Sequence, residues 1–511
     1  MQHHVSVSRR GGGALTLLLL SAVVLSTVTL STAPLGAQGG PPPPPGGPLP
    51  PVPVPAQNPQ TPEKIVLGKI LFWEEQLSSD DTVAWATCHL PEFGGSDPRS
   101  FTSAHPGPDA VFGNPNDVFG SPGVAKQECD GTMLDDTIFS FERQVTGRKA
   151  PTMINAAYSP TLFWDGRATG TFVDPETGVV LIPNGGALES QAVGPILNSV
   201  EMACETRTWD DVRAKLESVT PLFFASNLTP DIVAALSTSP TYPDLFQAAF
   251  GTPDITAARI GFALASYQRT LISDQSPFDQ FLAGVPGALT PQEANGRNAM
   301  QGQCGPCHTG PLLTNHSFQN IGVRPPFEDL GRGDVTGVPP DNGRFRTPNL
   351  RNVALRAPYF HNGSEMTLAG VIDFYDAGGN FPSPDLPPIN LPPMIENAIE
   401  AFLTNALTDP RVAASLPPFD HPTLRTHFRR GDTNRDDVVD ISDPIAVLAT
   451  LFSGGAPFSC PDAADANDDG MIDISDVVAT LDRLFAGGAP LPLPSDRSTG
   501  PDPTLDALSC N

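Results

Sequence analysis

Residues 290–310 read "TPQEANGRNAMQGQCGPCHTG". The stretch opens as a helix should. Thr290 can cap it, Pro291 suits the first turn, and Glu293 completes a capping-box pattern. The helix then runs into Cys304-Gly305-Pro306-Cys307-His308. Two thiols at this spacing can add to the two vinyl groups of one haem, and the adjacent His then reaches the iron as an axial ligand. A zinc centre would need more ligands at suitable spacing, and the neighbouring sequence offers none.

A similar unit lies upstream. Thr61 and Pro62 open a helix expected to run from Pro62 to about Glu75, with Ile65, Leu67, Ile70 and Leu71 facing a core. It leads to "DTVAWATCHLPEFGG", residues 81–95, where Cys88 and His89 are in place but Trp85 stands at the position of the first Cys. Three readings are open. A haem is held by one thioether from Cys88 with His89 on its iron; or the site fails to load because attachment needs both thiols; or Cys88 is a buried thiol beside a structural His. Helix followed by motif occurs twice, which predicts two cytochrome c-like domains. Between them "DITAARIGFALASYQRTL" reads as an amphipathic helix, and strand signals are few and short, so the fold class is mostly α.

The chain has 511 residues and a net charge of −27, with 58 Pro and 47 Gly. Such a surface repels nucleic acid and anionic membranes and attracts a basic protein partner. Arg9 and Arg10 precede an apolar run from Ala14 to about Leu30, and Leu35-Gly36-Ala37 offers a cleavage site. Residues 1–37 read as a signal peptide, the alternative being an uncleaved anchor. No later segment is long and apolar enough to span a bilayer, so the mature chain is expected to have no membrane span and to be periplasmic or secreted. Residues 38–60 read as a Pro/Gly-rich linker of polyproline type. The two haem domains are expected at 61–278 and 279–428. The remainder, 429–511, holds a repeat with a period of 33 residues: "GDTNRDDVVDISDPIAVLATLFSGGAP" is echoed by "ADANDDGMIDISDVVATLDRLFAGGAP".

Three further stretches carry a family resemblance: "PTMINAAYSPTLFWDGRA", "LESQAVGPILNSVEM" and "FRTPNLRNVALRAPYFHNGSEMTLAGVIDFYDAGG". In this order around the two motifs they resemble the bacterial di-haem cytochrome c peroxidases, including the MauG-type enzymes, over roughly residues 62 to 405. The resemblance implies two haems c, a peroxidatic one at His89, here with a single tether, and an electron-transfer one at His308. It also implies that Glu201 is the distal carboxylate that moves a proton between peroxide oxygens, that Gln191 and Pro195 are its neighbours, and that Trp164 lies between the haems. His105 has the spacing of a distal His used by some members, yet its surroundings match poorly and a plain loop His is an equal reading. Counting from "APYFHNG", Tyr375 takes the place of the second haem's sixth ligand, where peroxidases usually have Met and MauG-type proteins Tyr; Met366 is a nearby competitor. A phenolate favours ferric iron and lowers the potential. Lys149 stands where the family often has an Asn for an inter-domain calcium ion, beside the candidate carbonyls of Arg356 and Pro358. Its ammonium either argues against that ion or replaces its charge.

The repeat follows a different logic. Oxygen donors at loop positions 1, 3, 5, 9 and 12 suit calcium. The first loop offers Asp432, Asn434, Asp436, Asp440 and Asp443; the second offers Asp465, Asn467, Asp469, Asp473 and Asp476. The sharp turn at position 6 falls on Asp437 and Gly470. Paired loops, each followed by one helix, resemble a dockerin-type module, which implies a docking partner. With three cysteines in haem motifs, Cys129 with Cys204 and Cys460 with Cys510 remain as disulfides.

The expected function is reduction of hydrogen peroxide, with electrons from a small redox protein or other donor entering at the second haem and passing Trp164. Its rivals are a MauG-like peroxide-dependent oxidase of a protein or organic substrate, and a non-catalytic electron-transfer cytochrome.

Overall fold

The computed structural model describes residues 49–504 and 506–510. The expected signal peptide and most of the expected linker lie outside the described residues. Among the described residues no helix is long and apolar enough to cross a membrane.

The described chain is mostly helical, with strands only in five two-stranded antiparallel ribbons. The first helix, Pro62–Phe72, starts where Thr61 accepts from Lys64 N at 3.3 Å and stops at Trp73, short of the expected Glu75. It buries Leu67, Ile70 and Leu71 completely, while Ile65 is only half-buried. It crosses the helix Ala257–Gln268, whose residues are buried on nearly every side rather than on one face. Gly68 makes the crossing close, because a Cβ there would run into the Ala263 carbonyl. The second haem unit repeats this design. Thr290 and Glu293 cap the helix Pro291–Gln303 reciprocally, at 3.3 Å and 2.7 Å. This helix crosses Pro393–Ala401, with Gly296 against the Ala398 carbonyl.

Each crossing anchors its own core. The first gathers residues from Leu67 to Leu271, and the second gathers residues from Phe278 to Leu407. The chain then returns: Val412 and Phe419 join the first core, and Thr423–Leu424 pairs with Ala225–Ser226. Residues at both ends of the expected second domain therefore cross its boundaries. Nor are residues 50–60 a spacer. Tyr158 Oη donates to Pro50 O at 2.9 Å, and the buried Asn58 amide donates to Glu189 Oε1 at 2.8 Å. Glu189 is in turn clamped by Arg269 at 2.7 and 2.9 Å.

In the C-terminal region the helices Ser442–Ser453 and Ile474–Leu481 pack together around Val447, Ala464 and Val477. Both expected disulfides, Cys129–Cys204 and Cys460–Cys510, are present. The last segment lies along the first haem unit. Gly500 and Phe428 exchange hydrogen bonds at 3.0 Å, and Arg143 donates to Thr499 O at 2.9 Å and to Thr82 Oγ1 at 2.8 Å.

Candidate functional site: two cavities flanking Trp164

Both motif histidines are held in one way. His89 follows the helical turn Trp85–Cys88, and its Nδ1 lies 3.2 Å from Gly95 O. His308 Nδ1 lies 2.9 Å from Leu313 O. A carbonyl can only accept, so Nδ1 carries the proton in each ring and Nε2 keeps its lone pair for a metal. Burial lowers the basicity of both rings and keeps them neutral, as a ligand must be.

A cavity of about 620 Å³ opens beside His89, lined by Trp85, Cys88, Gln191, Pro195, Glu201 and His105 among others. Cys88 is half-buried in this wall, and burial, reinforced by Asp97, pushes its thiol up to about 12. Trp85 lies 6.1 Å from the His89 ring at an interplanar angle of 18°, and its buried Nε1 has no partner. The Glu201 side chain makes no hydrogen bond among the described residues. Burial raises its carboxyl and Arg167 pulls it back, so it holds a proton more readily than a surface carboxylate does. The Cys129–Cys204 bridge and the close approach of Gly123 to the Val200 and Glu201 carbonyls brace this segment. Gln191 comes from the helix Ala187–Ala192, and His105 from a short strand. His105 Nδ1 accepts from Gly107 N at 3.1 Å, so its proton is on Nε2.

A second cavity, of about 520 Å³, is lined by Cys304, Cys307, His308, Leu368, Ile372 and Tyr375 among others. Tyr375 projects from the helix Leu368–Ala377. Burial, then the neighbouring Cys304 and Cys307, push its phenol well up, so the proton leaves only if a cation replaces it. Met366 does not compete for this place. It precedes the helix, is 39% exposed and is absent from the cavity wall.

Trp164, Lys149 and Arg346 line both cavities. Trp164 Nε1 donates to Lys149 O at 2.8 Å, and its ring meets His361 edge-on at 6.3 Å. His361 itself stacks on Phe345 at 3.6 Å. Sequence reasoning missed that these two rings occupy equivalent places in a duplicated segment. Asn155 and Asn352 are both left-handed and each opens a short 3₁₀ turn. Phe163 and Phe360 have positive φ, as do Gly166 and Gly363, and the bridge Leu162–Ala168 is matched by Tyr359–Glu365. The signal was present in "NAAYSPTLFWDG" and "NVALRAPYFHNG", which share their N, A, F and G positions.

The two walls fit haem. Each includes a cysteine and the motif histidine in the lining of one cavity. Haem also carries propionate carboxylates, and buried cations wait for an anion. Lys149 bonds only Ser96 Oγ, Arg346 reaches Phe163 O at 3.3 Å, and Arg356 reaches Asn349 O at 2.7 Å with its Nε unpartnered. Among the described residues none of the three has a carboxylate partner. Burial pushes Lys149 down to about 7 and both arginines down to about 10. A buried cation without an anion is costly, so a carboxylate-bearing group here offsets that cost.

The acidic loops share one internal geometry. Asp432 accepts from Asp436 N and Asp437 N at 3.1 and 3.0 Å, and Asp465 accepts from Asp469 N and Gly470 N at 3.2 and 2.8 Å. Asp443 and Asp476 close the loops onto Asn434 N and Asn467 N, both at 3.2 Å. Asp440 and Asp473 accept from Ser442 N and Ser475 N, both at 2.7 Å. The sharp turns fall on Asp437 and Gly470, with φ of 66° and 79°.

Comparison with known proteins agrees with the two cavities. The family described as di-haem cytochrome c peroxidase matches residues 62–286. Cytochrome c peroxidase Ccp of Escherichia coli (strain K12) is 30% identical over 345 residues, covering 65% of this chain and 58% of its own length. The chain thus spans under two thirds of that relative. Cytochrome-c peroxidase IdrP1 of Pseudomonas sp. (strain SCT) is 30% identical over 368 residues, covering 65% of this chain and 76% of its own. Methylamine utilization protein MauG of Methylophilus methylotrophus is 31% identical over 332 residues, covering 63% and 75%. A solved MauG-like protein associated with microbial copper homeostasis superposes with a TM-score of 0.51 at 26% identity, covering 73% of this chain and 96% of that one. With its two histidines presented alike on either side of Trp164, the chain belongs to the di-haem cytochrome c peroxidase family of oxidoreductases.

Proposed function

We propose that the chain is an exported peroxidase that reduces hydrogen peroxide to water with electrons from a small redox protein. The observation that carries this reading is Trp164, which lines both cavities. Cys304 and Cys307 would hold one haem by two thioethers with His308 on its iron, and Cys88 would hold the other by one thioether with His89 on its iron. Bound there, the two groups would supply the redox chemistry, electrons entering at one and peroxide being reduced at the other. The residues do the rest. Glu201 takes a proton from the near peroxide oxygen and delivers it to the far one, so that the O–O bond breaks toward water. Gln191 lines the same cavity, and the Cys129–Cys204 bridge braces the segment that carries that carboxyl. The Trp164 indole, fixed by its bond to Lys149 O, offers an oxidisable ring between the sites. Lys149 puts an ammonium where relatives often carry calcium between the domains, so turnover should resist chelators. The test is peroxide consumption by the mature protein with a reduced basic cytochrome. No consumption would leave a plain electron carrier.

Tyr375 favours a second reading, a MauG-like oxidase of a protein or organic substrate, because a phenolate on the second iron disfavours its reduction.

For residues 429–511 we propose a dockerin-like module with calcium in both acidic loops. Support comes from the loops' common geometry and from a repeated exposed apolar set. Val438 and Met471, Ile441 and Ile474, Ile445 and Val478, and Phe452 and Phe485 occupy equivalent positions in the two halves, and all are exposed. Such a face suits a docking partner. Calcium titration of the mature protein tests the loops, and loss of binding in the Asp436→Ala/Asp469→Ala variant is expected.

A further inference from the structure

Beside the second loop the C-terminal region gathers a further acidic group, which shares only Asp465 with the loop ligand positions. Carboxylate oxygens of Asp462, Asp502 and Asp506 lie within 4.8 Å of one another, as do those of Asp465, Asp468 and Asp506. Asp462 is only 5% exposed, and its Oδ1 is sealed from solvent without a hydrogen-bond partner among the described residues. Asp502 is 7% exposed. The counter-charge at hand is Arg430, fully buried, whose Nη2 reaches Asp468 Oδ1 at 2.9 Å and Asp502 Oδ1 at 3.1 Å. Its Nη1 goes to the Asp462 and Asp465 carbonyls at 3.3 and 2.7 Å, not to the Asp462 carboxylate. The guanidinium therefore pairs with Asp468 and Asp502 but with neither the Asp462 nor the Asp506 carboxylate, and Asp462 is the more deeply placed of those two. Burial, then Asp502 and Asp506, push the Asp462 carboxyl up to about 6, against the opposing pull of Arg430 and of a Cys510 backbone N–H.

The repeat isolates this group. One period earlier, Asp462 corresponds to Arg429 and Asp468 to Arg435, whereas every loop ligand position carries the same residue in both halves. The first half has cations where the second half has these carboxylates, so only the second half gathers the group.

We propose that Asp462, Asp502 and Asp506 bind a third divalent cation, beside the second acidic loop. A donor set made only of carboxylate oxygens, completed by water, suits calcium. The ion would fasten the C-terminal segment to the second loop. The same segment lies on the first haem unit through Thr499, and Arg497 packs over Phe141 at 5.5 Å. The cation is thus placed to hold the repeat region against the haem-bearing body.

The test uses the full mature protein, stripped of metal and titrated with calcium, bound metal being counted by elemental analysis. Three calcium ions per chain are expected. Asp506→Asn, an exposed change that spares the fold, and Asp462→Asn should each remove one ion. Asp436→Ala/Asp469→Ala should lose the loop ions and keep the third. Calcium should also protect residues 495–504 from proteolysis in the wild type and in the loop variant, but not in Asp506→Asn. The proposal is overturned if Asp506→Asn and Asp462→Asn bind as much calcium as the wild type. Empty loops would leave it standing, since the single remaining ion would still vanish in Asp506→Asn.

Discussion

The His89 and His308 cavities are built alike and furnished differently. Both imidazoles donate from Nδ1 to a backbone carbonyl, both lie beyond a helix, and both units close on a Gly-mediated helix crossing. Yet one wall carries Cys304, Cys307 and a phenol, and the other carries one thiol, an indole and a carboxyl. The shared parts fix where an iron would sit. The divergent parts decide what happens there. A duplicated scaffold has been kept for geometry while the chemistry of its two halves moved apart.

The largest effect should come from removing the group found on one side alone. Glu201→Gln keeps the shape and removes the proton carrier, so peroxide turnover should fall roughly 100- to 10,000-fold. Haem content should stay the same by pyridine haemochrome assay. A variant that turns over normally would end the distinction between the cavities.

Next comes Tyr375. Tyr375→Met should raise the potential of the His308 haem and strengthen turnover with a donor cytochrome, measured by redox titration and steady-state assay. Tyr375→Phe should open the sixth position and alter the ferric spectrum. An unaltered spectrum in the Phe variant would make Tyr375 a packing residue.

Trp85 sets the smaller contrast of one tether against two. Peptide mass spectrometry should find haem on Cys88 by a single bond. Trp85→Cys should add the second bond while haem per chain stays constant. Haem on Cys304 and Cys307 alone would show that the first cavity stays unloaded.

The mildest test addresses the pair Trp164 and His361. Burial pushes the His361 imidazole down to about 3 against the opposing pull of Asp329, with Arg148 and Arg324 adding to the fall. An unfolded His titrates near 6.5. Between these values the unfolded chain binds the extra proton, so stability should fall as pH drops through 6.5, by about 1 kcal/mol per pH unit from this residue. In His361→Phe, which keeps a ring on Phe345, the melting temperature should decline less between pH 6.5 and 4.5. An identical decline would assign the acid sensitivity elsewhere.

What the sequence disclosed followed the range of the interaction. The Cys304–His308 motif, the Thr290 cap and the loop pattern from Asp432 are local, since each depends on residues a few positions apart. The residues after Pro50 read as a spacer because proline-rich composition hides polar anchors distant in sequence, such as the Asn58 amide on Glu189 and Tyr158 on Pro50 O. Arg346 and Arg356 look like surface charges until folding leaves them buried beside a cavity. Met366 was a fair candidate by distance along the chain, but its position before the helix Leu368–Ala377 leaves it in solvent. The equivalence of Trp164 and His361 stayed hidden because the aligned residues differ in type and share only backbone conformation.

The lone thiol at Cys88 also bears on the order of events during assembly. In an oxidising compartment Cys304 and Cys307 can close on each other before haem arrives, and reduction must reopen them. Cys88 has no such partner in its motif. Its risk is exchange with the Cys129–Cys204 bridge nearby in the same unit. Exchange requires a thiolate, and burial, which pushes the thiol up to about 12, disfavours one at neutral pH. Once that wall has folded, the thiol can wait, chemically quiet, for a vinyl group. A single tether at Cys88 would forgo one covalent bond and would make the first cavity independent of the reducing step that a paired-cysteine motif needs.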